Sequence, residues 1–221
     1  MPKENVNYEI IRERVRKIIS DISSYPVALS WADKESLKKE LVEIYKKNDD
    51  VIKGYIIAII NERLSSFRYF RDFLSMSLAK ERGQNIKAED ITTAVLDYTS
   101  SFDGIDDFLS ILLNFDDTLS LKLLSFHLTR YLNLNTQESR LLSLRAIKGL
   151  GQSKNSYAAQ LLIVLSDITK DELLAAVLDS LKQWEEKLDK IKIDKKEKEK
   201  IKEEISKIFI HFPSEQPKVY G

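Results

Sequence analysis

The chain has 221 residues, of which 43% are hydrophobic and 32% charged, with 35 Lys+Arg balanced by 35 Asp+Glu. That apolar share supports a continuous core and sets disorder aside, while zero formal net charge gives no long-range field to gather phosphate or an anionic membrane. The absence of cysteine excludes disulfides, thiolate metal sites and cysteine nucleophiles. Met1 to Glu9 is polar with no signal-peptide core, and the longest apolar run, Tyr55 to Ile60, is too short to span a bilayer. A cytoplasmic chain is expected. Heavy use of Ile, Lys and Glu suggests a thermophile source.

Gly and Pro are scarce and the apolar spacing is helical throughout, with no strand-like alternation. Ile11, Val15, Ile18 and Ile22 form one stripe, which Pro26 ends. Ser30, with Asp33 in the first turn, opens a second helix carrying Leu37, Leu41 and Ile44, and Asn48 stops it. Asp49 or Asp50 starts a segment running to Arg82 and closed by Gly83, long enough that a break near Ser65-Ser66 is expected. A short helix covers Ala88 to Tyr98, and Asp103 caps the next, with Ile105, Phe108, Leu109 and Leu112. Helices then follow over Thr118–Leu132, Thr136–Leu150, Ser156–Ser166 and Asp171–Lys192. Thr169 with Glu172, and Asp194 with Glu197, have capping-box spacing, the latter opening a helix with Ile201, Ile205 and Ile208. Many short helices joined by short loops predict stacked antiparallel pairs.

The stretch Leu144-Arg-Ala-Ile-Lys-Gly-Leu-Gly-Gln152 resembles the inner helix of a HEAT repeat. Ser156–Ser166 resembles an outer helix, Leu173–Leu181 the next inner one, and Leu119–Leu132 the outer helix of the first pair. The resemblance spans Leu119 to Leu188 and implies an all-α fold, antiparallel helix pairs stacked as a HEAT-like α-solenoid, with a scaffolding role. The organisation expected is an N-terminal helical part over 1–115, HEAT-like repeats over 116–210 and a flexible docking tail over 211–221.

Residues that could carry chemistry each have a simpler reading. His127 and His211 stand alone, outside any metal spacing, and His127 sits in an apolar helix, where a hydrogen-bonded core or boundary residue is expected. Gly149-Leu-Gly-Gln-Ser-Lys154 lacks the Gly-Lys-Ser/Thr ending of a phosphate loop and follows a helix, so Gly151 is expected to end that helix in a left-handed conformation. Asp103, Asp116 and Asp117 fall at expected N-caps, and Asp106 and Asp107 in a first turn, where the helix dipole favours acids. Arg63, Phe67, Arg68, Tyr69, Phe70, Arg71 and Phe73 interleave bases with aromatics as a nucleic-acid surface can. Helical spacing instead turns Phe67 and Phe70 inward and leaves Arg68 and Arg71 as ion-paired surface. Lys182 to Lys207 alternates signs as a solvated helical face. No catalytic residue, cofactor or metal site is expected, and the chain is read as a non-enzyme.

The last segment stands apart. Pro213 and Pro217 forbid a helix, so His211 to Gly221 is expected to be extended and exposed, and it ends in Val219, Tyr220 and Gly221. This ending resembles the hydrophobic-Tyr-X (HbYX) motif of 20S proteasome regulators, which include activator ATPases, assembly chaperones and large HEAT-repeat activators. The resemblance implies docking between adjacent subunits of the proteasome α-ring. Gly221 would supply the carboxylate to a pocket lysine, Tyr220 the contact that moves the gate-supporting turn, and Val219 the apolar contact. Capture of a free carboxylate by a cation is an established mode of peptide recognition. With no Walker A loop, the regulator would be independent of ATP, as activator or as inhibitor. One short tail binds weakly, so a homo-oligomer or a second contact from the body is expected to reinforce it. The alternatives are a generic HEAT-type protein–protein scaffold and a nucleic-acid-binding HEAT-like protein, such as a base-repair glycosylase; the neutral charge balance argues against the latter.

Overall fold

The structure, a computed structural model, describes residues 8–23, 31–66, 104–134 and 136–212. All regular structure among them is helical, so the fold is all-α. The chain divides into two compact units, Met1–Phe115 and Asp116–Gly221.

In the first unit α1 (Tyr8–Ser23) buries Val15, Ile18, Ile19 and Ile22, one stripe at helical spacing, and packs on α2 (Trp31–Lys47) and α3 (Asp50–Ser66). α2 has Asp33 in its first turn and Lys46 and Lys47 in its last, as the helix dipole favours. It stops where the Asn48 side-chain amide donates to the Ile44 carbonyl at 2.8 Å. Asp49 caps α3, its carboxylate accepting from the Ile52 N–H at 3.2 Å. The expected continuation of this helix to Arg82, the helix over Ala88–Tyr98 and the Asp103 cap lie outside the described residues.

α4 (104–115) buries Ile105, Phe108, Ile111, Leu112 and Phe115. Phe115 stacks on Tyr45 with ring centroids 3.8 Å apart. Asp106 and Asp107 lie in the first turn of α4, and Asp107 goes further, pairing with Lys34 and, at 3.1 Å, with Lys38 of α2. A bidentate pair joins α1 to α2, the Arg14 guanidinium meeting Glu40 at 2.7 and 2.5 Å.

The second unit contains α5 (Thr118–Leu134), α6 (Gln137–Gln152), α7 (Ser156–Ile168), α8 (Asp171–Lys187), a 3-10 turn (Leu188–Lys190) and α9 (Lys195–His211). Consecutive helices pack as pairs, α5 with α6 and α7 with α8. Across the pairs α6 lies along α8 in the most extensive contact of the unit, and α5 touches α7. α9 packs on α7 and α8 through Ile201, Ile205 and Ile208. Its Lys and Glu residues face outward and pair along the helix, as Lys207 does with Glu203 at 2.8 Å.

Three helix boundaries differ from expectation. Asp117, not Asp116, caps α5: its carboxylate accepts from the Ser120 N–H at 2.8 Å, and the Asp117 and Leu121 backbones close the first turn at 3.0 Å. Asp116 takes a left-handed φ of 54° that turns its carboxylate toward the end of α6. Thr169 and Glu172 form no capping box, because the Thr169 hydroxyl donates back to the Leu165 carbonyl at 2.7 Å and Lys170 becomes the N-cap residue without a side-chain bond. Gly151 does not end α6 in a left-handed turn. It lies inside the helix, where a Cβ would fall 2.9 Å from the Cβ and Oγ of Ser180, so it is glycine to let α6 and α8 touch.

Candidate functional site

Val219, Tyr220 and Gly221 lie outside the described residues, which end at the base of that segment. The base is α9. Asp194 starts it, accepting from the N–H groups of Lys196 and Glu197 at 2.9 and 3.3 Å. The Glu197 side chain does not complete a capping box; its carboxylate accepts from the Gln160 amide of α7 at 3.3 Å. At the far end the Phe212 N–H reaches the Ile208 carbonyl at 2.8 Å, and the His211 and Phe212 rings meet edge to face. Ile210 is 80% exposed beside this exit.

His127 is fully buried in α5, edge to face with Phe126 and near Tyr131. Burial, reinforced by the Arg130 charge, pulls its imidazole down to about 4, so the ring is neutral at pH 7. Among the described residues no group of three His, Cys, Asp or Glu side chains could hold a metal ion, and no helix is long and apolar enough to cross a membrane. Of the Arg/aromatic stretch only Arg63 is described.

The end of α6 carries the most developed polar network in the second unit. Three residues of α8, spaced so that they share one face, reach its carbonyls. The Ser180 hydroxyl donates to Ile147 at 3.1 Å, the Trp184 indole N–H to Leu150 at 2.9 Å, and the Lys187 ammonium to Gly151 at 2.6 Å and also to Ser153. The Lys187 bond satisfies the Gly151 carbonyl, one of those a helix end leaves without a partner, Leu150 also accepts from the Ser153 N–H at 3.3 Å, and a cation there complements the dipole. Lys187 also sits 4.1 Å from the Trp184 ring centroid. From the opposite side, Asp116 accepts from the Ser153 hydroxyl and, at 3.1 Å, from the Lys154 N–H. Burial pushes the Lys187 ammonium down to about 8, with Asp116 opposing and Lys154 reinforcing that shift.

Beside this network opens a cleft of about 530 Å³ lined by Gln152, Lys154, Lys187, Lys190, Ile191 and Lys192. Four of its six lining side chains are lysines. Sequence reading missed it, since Lys182–Lys207 looks like evenly alternating surface. Only the 3-10 turn after α8 and the proximity of the α6 end bring Lys190 and Lys192 together with Lys154. No family model, curated protein or solved structure matches this chain.

Proposed function

We propose that this chain is a non-enzymatic, HEAT-like helical protein that docks on the α-ring of the 20S proteasome through Val219, Tyr220 and Gly221 and regulates it without ATP. The observation that carries the reading is the ending itself: a Pro-bounded segment closing on an apolar residue, a tyrosine and a terminal glycine. Where Gly221 ends the chain, its carboxylate, the Tyr220 phenol and the Val219 side chain supply an ionic, a hydrogen-bonding and an apolar contact within three residues. The helical body supports the reading in two ways. Its second unit pairs α5 with α6 and α7 with α8, with α6 along α8, the neighbour pattern of stacked repeats. The segment also follows directly on α9, a helix capped at Asp194 and anchored on α7 and α8.

The test is co-purification of the host's 20S core with the full chain, with a chain lacking residues 219–221, and with a chain extended by a short tag after Gly221. Recovery with the full chain and loss with both variants is expected. Equal recovery by all three would leave the second reading, a generic HEAT-type protein–protein scaffold, for which the same helix pairing is the support.

A further inference from the structure

We propose that the cleft between the end of α6 and the 3-10 turn after α8 is a binding site for a compact, multivalent phosphate ligand. Three observations carry this, and none depends on the reading of residues 219–221. The first is charge. The chain is neutral overall, yet Lys154, Lys187, Lys190 and Lys192 line one cleft with no acid among the lining residues.

The second is lack of compensation. Among the described residues Lys154, Lys190 and Lys192 form no ion pair. Asp116 accepts from the Ser153 hydroxyl and the Lys154 N–H, and Asp189 lies 4.0 Å from Lys198. Like charges gathered together repel, and an anion relieves that repulsion.

The third is the chemistry of the lining. The cations are all lysines, point charges on flexible stems that can converge on the several oxygens of a polyphosphate. The one apolar lining residue is Ile191, so the cleft offers no aromatic platform for a nucleobase. A volume of about 530 Å³ is within the usual range for a small ligand. Lys187 is fixed by the Gly151 and Ser153 carbonyls and forms a stationary positive floor; Lys154, Lys190 and Lys192 are exposed and free to close over the anion.

The experiment is isothermal titration calorimetry of the full chain with tripolyphosphate at low ionic strength. The cleft variant is Lys154→Gln/Lys190→Gln/Lys192→Gln. The control, Lys17→Gln/Lys39→Gln/Lys46→Gln, removes the same charge from exposed positions of the first unit. All six side chains are exposed, so circular dichroism of both variants should match the parent. The site requires saturable binding by the parent that weakens with salt, loss of about tenfold or more in the cleft variant, and little change in the control. It also requires ATP to bind no more tightly than tripolyphosphate. Absence of binding by the parent, or equal losses in the two variants, overturns the site; an ATP affinity about tenfold tighter overturns its ligand class.

Discussion

Replacing Gly151 and Gly54 by alanine, one at a time, should move stability in opposite directions. Both lie inside helices, where alanine is favoured over glycine by about 1 kcal/mol. At Gly54 in α3 a new Cβ meets nothing within 4 Å, so Gly54→Ala should stabilise by about 0.5–1 kcal/mol. At Gly151 the new Cβ would lie 2.9 Å from two Ser180 atoms and 3.1 Å from the Gln183 Oε1. The glutamine end can swing away, but the Ser180 Cβ moves only with the α8 backbone. Separating α6 from α8 there strains the Ser180, Trp184 and Lys187 bonds to α6 carbonyls. Overpacking of this kind costs about 1–3 kcal/mol, so after the helix-propensity gain Gly151→Ala should destabilise by about 0–2 kcal/mol. Urea unfolding, followed by far-ultraviolet circular dichroism and by Trp184 fluorescence in a Trp31→Phe background, reads both changes. A Gly151→Ala protein as stabilised as Gly54→Ala would refute the close α6–α8 contact.

The buried His127 should make the second unit acid-sensitive. Its ordinary value of 6.5 falls to about 4 on folding, so the unfolded chain binds the proton first as pH drops. Its contribution is complete above pH 6.5 and is lost progressively toward pH 4, by up to about 3 kcal/mol. His127→Phe should flatten that limb of a stability–pH curve, and parallel curves would exclude the mechanism. Lys187 acts in a higher window: with its ammonium at about 8 against an ordinary 10.5, the folded state sheds the proton first. Stability should therefore rise with pH between those values, and Lys187→Met should remove the rise. Trp184→Phe removes the indole donor from the buried Leu150 carbonyl, which keeps the Ser153 N–H at 3.3 Å, and should cost about 1–3 kcal/mol in urea unfolding.

The helices were legible in the sequence because apolar spacing decides which face is buried. Val15, Ile18 and Ile22 of α1, and Ile201, Ile205 and Ile208 of α9, lie inward as their spacing requires. Boundaries were less legible where two local options compete. At 116–117 either aspartate could cap; the second does, because the first takes a left-handed φ and reaches Ser153, 37 residues away. Thr169 had a capping partner three residues on but bonds its own preceding turn. Gly151 looked like a helix terminator because the Ser180 side chain that requires a glycine lies on another helix. The lysine cleft was invisible for the same reason: Lys154 and Lys190 are distant in sequence, and only the packing of α8 on the α6 end brings them together. The reading of Val219, Tyr220 and Gly221 rests on the sequence alone, and these residues lie outside those the structure describes.

The proposed docking is most directly tested by surface plasmon resonance on immobilised 20S core, comparing the unaltered chain with Tyr220→Ala. The proposal gives the phenol a specific contact, and the substitution leaves the helical body and Gly221 unaltered. Binding that weakens about tenfold or more with Tyr220→Ala is the predicted result. Unchanged affinity, or no binding by the unaltered chain, would contradict it.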